Sequence, residues 1–145
     1  NEFCAAVALA QFERLDELVE LRQQIGKLYD ESFVGTDFEP QSVPDDRTHS
    51  YFSYGVKSPF IETNDWIEFY NKHLDNGGDD FYGMMQPAYK EPIMVELGYA
   101  EKYKDLCPVA EEVQQRSMLF KTNYRTIEEA EKHINNLRKT LNGII

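Results

Sequence analysis

Apolar positions recur at intervals of three and four at both ends of the chain and at intervals of two in between. In the first segment Phe12, Leu15, Leu18, Val19, Arg22, Ile25 and Leu28 hold the helical spacing. Glu13, Asp16, Glu17, Glu20 and Lys27 lie outside that stripe, so one long helix is predicted over residues 2–31. Its start is different. Residues 4–10 are small and apolar all round, and a helix without a polar face is buried on every side. Gly35, Pro40, Pro44 and Asp45-Asp46 then break the pattern, around a short strand at 38–43. Residues 49–57 read as the best strand, with Phe52, Tyr54 and Val56 on one face and Tyr51, Ser53 and Lys57 on the other.

A second helix is predicted over 64–74, capped by Asn64, striped by Trp66, Ile67, Tyr70 and Leu74, and stopped by Gly77. Residues 77–92 read as a loop, 91–97 and 108–116 as short helical pieces, and 117–121 as a strand. Thr126-Ile-Glu-Glu129 is a capping box, followed by the stripe Ile127, Ala130, Ile134, Leu137 and Leu141 and ended by Gly143. The order predicts an α+β fold: a small, mostly antiparallel sheet covered by helices, with a long N-terminal helix. Met118 and Phe120 are expected beside Phe52, Tyr54 and Val56 on one sheet face, under the last helix.

At 145 residues and 16.9 kDa the chain is expected to be a single domain, 1–145. A domain of this size buries about 68–70% of its unfolded surface, enough for a core without disulfides or metals. The charge changes the picture. With 15 Lys+Arg against 26 Asp+Glu, the net charge of -11 opposes nucleic acid and anionic membrane surfaces. The longest apolar stretch, Phe3 to Ala10, falls far short of the roughly 18 residues of a membrane span. Cys4 and Cys107 form no Cys-x-x-Cys pair and read as reduced thiols of a cytoplasmic protein.

Phosphate-loop, dinucleotide, zinc-protease and nucleophile-elbow motifs are absent from the sequence. His73 and His133 read as solvated helix side chains and His49 as structural, which argues against a metal site. The acidic faces around 16–20 and 128–131 follow the helical period and read as solvated. The loop 77–92 is different: its glycines permit close backbone approach, and Tyr82, Gln86, Tyr89 and Lys90 add donors and flat rings. A packed connector explains that composition as well as a ligand loop does. Lys121-Thr-Asn-Tyr124, with Lys121 and Asn123, brings polar groups to a helix entry, where capping explains part of the pattern.

Four stretches carry a resemblance. Asn1 to Gln11 with Phe12-Glu-Arg-Leu-Asp16 resembles the helix after the active-site region of DegT/StrS-type sugar aminotransferases, pyridoxal-phosphate enzymes of the aspartate-aminotransferase fold. His49-Ser-Tyr-Phe-Ser-Tyr54 is similar to the family's His-x-Tyr/Trp strand. The loop 77–92 is similar to one found in a branch of the family. Pro108-Val-Ala-Glu111 with Phe120-Lys-Thr-Asn-Tyr124 resembles the closing segment before the final helix. The set covers nearly the whole chain, but only the C-terminal part of such enzymes.

The resemblance therefore implies the small domain of a nucleotide-sugar aminotransferase, which moves an amino group from glutamate to a keto sugar. The large domain, with the lysine that carries the cofactor and most phosphate contacts, is missing, as is the Thr-Arg motif before the substrate loop; Gly78-Asp-Asp80 stands near that place. The isolated chain is expected to hold no cofactor, to have no catalytic residue and no metal, and to be inactive. Tyr82, Gln86, Tyr89, Lys121 and Asn123 are the candidate substrate-binding residues. Asn1 leads straight into an apolar helix, so the chain reads as a piece of something longer. Phe3, Val7 and Leu9 are expected to be covered by a second copy or by a separate large domain. The rival expectation is a non-catalytic binding or assembly module that kept the fold.

Overall fold

The computed structural model describes residues 1–143. The predicted first helix forms as two, α1 (Glu2–Phe12) and α2 (Leu15–Phe33). Asn1 caps α1, its Oδ1 accepting from the Cys4 N–H at 2.9 Å. At the far end the Arg14 N–H turns back to Gln11 O at 3.2 Å, one residue short of the α-helical spacing. That tight turn is the break. The Leu18 N–H restarts the ladder on Arg14 O at 3.0 Å. Neither glycine nor proline stands there, so the spacing gave no sign of it. α1 buries no residue, and α2 buries only its second half, through Ile25, Gly26, Tyr29, Ser32 and Phe33. Phe12 and Leu15, counted in the predicted stripe, are exposed.

The sheet has four strands, β1 (Glu39–Pro40), β2 (Tyr54–Lys57), β3 (Tyr82–Gly83) and β4 (Ser117–Phe120), in the order β1-β2-β4-β3 with antiparallel neighbours. Tyr54 stands opposite Phe120 and Val56 opposite Met118, and all four are buried. The predicted strand 49–57 forms only in its second half. Before it, Tyr51 adopts φ 47°, and the Thr122 hydroxyl donates to the carbonyls of Tyr51 and Phe52 at 2.6 and 3.0 Å. The backbone at 51–52 is thus claimed by side chains rather than by a ladder. Phe52 leaves the predicted face and stands 85% exposed. β1 is shorter than the expected 38–43, and β3 arises inside the predicted loop.

α3 (Thr63–Asp75) begins after Glu62, not after Asn64. Its buried residues are Phe69 and His73; of the predicted stripe, Trp66 and Tyr70 are half-buried and Ile67 and Leu74 exposed. Gly77, at φ 81°, donates to Leu74 O at 2.8 Å and Gly78 to His73 O at 2.9 Å, a Schellman ending that needs the left-handed glycine. A 3-10 turn (Ala88–Lys90), α4 (Pro92–Glu96), α5 (Tyr99–Tyr103) and α6 (Pro108–Arg116) follow, and none buries a residue. α7 (Ile127–Asn142) buries Ala130, Ile134, Leu137 and Leu141, as predicted. The Thr126 hydroxyl accepts from the Glu129 N–H at 3.3 Å, while the Glu129 carboxylate accepts from Arg125, one residue before the expected donor.

The sheet's cover is shared. Tyr29 of α2 stacks on Tyr54 at 4.8 Å, and Phe33 lies 5.9 Å from Phe120. Phe81 lies 4.7 Å from Phe120 and 5.9 Å from Phe69 of α3. α7 packs against α2 and α3, so the cover expected from α7 alone comes largely from α2. Cys4 and Cys107 are free and exposed.

Candidate functional site

The ends of five segments converge on one small polar cavity. Tyr29 comes from α2, His73 from the last turn of α3, Asp79 and Asp80 from the chain just beyond the Gly77-Gly78 turn, Lys121 and Tyr124 from the exit of β4, and His133 from α7. The cavity measures about 10 Å³, room for a single water. Gly78 makes the approach possible: a Cβ there would sit 2.1 Å from the His73 ring. Asn136 of α7 holds the same turn, donating to Gly77 O at 2.7 Å.

Asp79 is the hub. Its Oδ2 lies 3.2 Å from Lys121 Nζ, and its Oδ1 lies 3.2 Å from His133 Nδ1. The second contact is within ion-pair distance but outside hydrogen-bond geometry, and His133 Nδ1 makes no hydrogen bond among the described residues. The Lys121 ammonium sits 5.0 Å above the Tyr124 ring, which stacks on His133 at 5.3 Å. Tyr29 donates its hydroxyl to the Lys121 carbonyl at 2.9 Å.

Burial pushes the Tyr29 and Tyr124 hydroxyls well above the ordinary phenol range, so both stay protonated near neutrality. Burial also lowers the pKa of His73, while the Asp79 backbone and carboxylate oppose that shift and His133 adds to it. The group joins two carboxylates, Asp79 and Asp80, one lysine, two protonated phenols and two imidazoles, and burial favours the neutral form of His73. Lys121 Nζ is engaged by the Asp79 carboxylate rather than free in the cavity.

The five candidates from the sequence do not share one cavity. Lys121 lines the cavity just described. Tyr82 is 71% exposed, with its backbone paired to β4 opposite Leu119. Gln86 and Asn123 are exposed. Tyr89 donates its hydroxyl to Glu111, a bond that pushes the phenol up to about 12; Lys90 Nζ donates to the other Glu111 oxygen at 2.6 Å. His73, expected at a solvated position, is 3% exposed, and His133 is half-buried. The predicted α3 stripe leaves out Phe69, one turn before His73, and His133 flanks the α7 stripe beside Ile134. His49 is structural: its Nδ1 accepts from the Tyr51 N–H at 2.8 Å. Asp79 enters the sequence reading only within Gly78-Asp-Asp80.

Among the described residues no group of three or more His, Cys, Asp or Glu could hold a metal, and no helix is long and apolar enough to cross a membrane. The phosphate-bearing cofactor implied by the resemblance does not fit here. The Lys121 cavity is far smaller than the roughly 300 Å³ of the smallest ligand sites. A second hollow of about 310 Å³ is lined by Phe60, Asp65, Glu68, Phe69, Lys72 and Gly143. Two carboxylates repel a phosphate there, and Lys72 Nζ already donates to Gly143 O at 2.6 Å.

The same fold recurs in solved aminotransferases. Spr1654 of Streptococcus pneumoniae, described as a sugar aminotransferase and seen in its PMP form, aligns over 94% of this chain with a TM-score of 0.73 at 17% identity. The aminotransferase TlmJ of Streptoalloteichus hindustanus aligns over 97% with a TM-score of 0.70 at 21% identity. The sugar aminotransferase CalS13 of Micromonospora echinospora aligns over 90% with a TM-score of 0.66 at 18% identity. The chain spans only 34%, 36% and 33% of those proteins. No curated protein matches it in sequence. With residues 1–137 matching the family throughout, the chain belongs to the DegT/DnrJ/EryC1/StrS aminotransferase family.

Proposed function

We propose that this single domain serves as the small domain of a cytoplasmic, pyridoxal-phosphate-dependent nucleotide-sugar aminotransferase and does not transaminate alone. The observation that carries the reading is the pairing of a family match over residues 1–137 with a span of about a third of the solved relatives. When bound, the cofactor supplies the electron sink for amino transfer. In this reading another part of the enzyme cradles it. This chain contributes a packed wall and the polar loop 77–92, with Tyr82 and Gln86 presented to solvent beside the β4 edge. Glutamate is the proposed donor and a nucleotide-linked keto sugar the acceptor. The test is the donor half-reaction. Incubated with pyridoxal phosphate and glutamate, the chain should form no 2-oxoglutarate beyond a protein-free control, and sustained turnover would overturn the proposal.

One observation favours the assembly reading. α1 carries Phe3 at 77%, Val7 at 51% and Leu9 at 58% exposure, without a polar face to justify it. Each large side chain left wet forfeits roughly 1.5–3 kcal/mol of burial. A second copy covering α1 is therefore proposed as the association of the isolated chain. Sedimentation should show a dimer at tens of micromolar that the Val7→Glu, Leu9→Lys double variant abolishes. A monomeric wild type, or a dimeric variant, rejects it.

A further inference from the structure

The strongest unassigned feature is the joint between α3, the Gly77–Asp80 loop and α7. His73 is 3% exposed, packed by Phe69, Phe81 and Phe120, and its Nδ1 has no hydrogen-bond partner among the described residues. A buried histidine without a partner for one nitrogen is there at a cost. The loop that seals it can lie so close only because residue 78 is glycine. That loop carries Asp79, which holds Lys121 on one oxygen and faces His133 with the other.

We propose that the Gly77–Asp80 loop is an acid-released latch: closed over neutral His73 near neutrality, and opened by protonation of His73, which frees Lys121 from Asp79. Three physical conditions support this. The latch has a hinge, since Gly77 and Gly78 are adjacent and Gly77 already occupies φ 81°. Its side-chain fastenings are few: the 3.2 Å contacts of Asp79, the Tyr70 hydroxyl on Asp80 at 3.0 Å and Asn136 on Gly77 O at 2.7 Å, beside the two backbone bonds of the turn. It also has a trigger whose charged form is excluded by the closed state, because an imidazolium there would have to shed its water into a ring of aromatic carbons.

The sign follows from burial. A histidine whose closed-state pKa is lowered favours closure fully above its ordinary value near 6.5, and progressively less as pH falls below it. The cavity beside the ring is lined by charged or titratable groups from four segments, and the Tyr70 hydroxyl of α3 binds Asp80. From the loop come Asp79 and Asp80; from the β4 exit, Lys121 and Tyr124; from α7, His133; from α2, Tyr29. Asp79 and Asp80 favour the imidazolium. Lys121 and a protonated His133 oppose it, and both phenols are neutral. His133 also works against opening, since its own protonation tightens the Asp79 contact. Desolvation of His73 is the largest of these influences, and it disfavours the imidazolium in the closed state.

Hydrogen exchange read by mass spectrometry tests the latch in the intact chain. After correction for intrinsic rates, the peptide spanning 76–83 should lose protection about tenfold between pH 7.5 and 5.5, while β2 and the middle of α7 stay unchanged. His73→Phe keeps the aromatic packing and should abolish that pH response. An unchanged peptide in the wild type, or the same loss in His73→Phe, overturns the proposal. Should the variant fail to fold, the proton resonances of the His73 ring in the wild type decide the matter. Titration well below 6.5 supports the latch, and titration at the ordinary value overturns it.

Discussion

The body and the fringe of this molecule are built from the same kinds of residue and meet opposite fates. In the body, Ile25, Tyr29, Phe33, Phe69, Phe120, Ile134 and Leu137 are all at most 3% exposed. In the fringe, Phe3, Phe12, Ile93, Leu97, Leu106 and Val109 are all at least 59% exposed. The body comprises α2, the sheet, α3 and α7; ring contacts join the first three, and α7 closes on them with Ala130, Ile134, Leu137 and Leu141. The fringe comprises α1 and the run α4 to α6, short helices with apolar side chains and no buried residue. An apolar pattern states that a segment has something to cover. It does not state what covers it. A chain spanning a third of its solved relatives is where those two questions separate.

The largest expected effect breaks the body. Leu137 is fully buried, so Leu137→Ala should lower unfolding stability by about 2–5 kcal/mol in a denaturant titration. Next is the loop joint. Gly78→Ala places a Cβ against the His73 ring and should cost about 1–3 kcal/mol, with the loss of the Asp79–Lys121 contact visible in Lys121 side-chain chemical shifts. Thr126→Ala removes one cap bond from α7 and should cost about 1 kcal/mol. At concentrations low enough to keep the chain monomeric, the fringe should barely respond: Leu9→Ala, at 58% exposure, should change stability by under about 0.5 kcal/mol. A Leu9→Ala loss as large as that of Leu137→Ala would erase the distinction between the two regions.

The legibility of the sequence divides along the same line. The α7 stripe was readable because Thr126 and Gly143 bracket a strict three-four spacing, and a buried helix obeys that period. Tyr54, Val56, Met118 and Phe120 were readable because alternation survives wherever strands pair. Phe52 broke the rule because Thr122 and Arg22, distant in sequence, bind the carbonyls before β2. The break at Arg14 has no marker residue. The cavity was least legible of all: Lys121 and Tyr124 stand out together at a helix entry, but Asp79 and His133 meet them only through the folding of separate segments.

The proposal with most at stake is that this domain serves a cofactor enzyme without itself holding the cofactor. The most direct measurement is to mix the purified chain with pyridoxal phosphate, reduce with borohydride and map modified lysines by mass spectrometry. The account predicts only scattered, substoichiometric modification, because Lys121 is engaged by Asp79 beside a water-sized cavity and Lys72 by Gly143. Stoichiometric modification of a single lysine would contradict it.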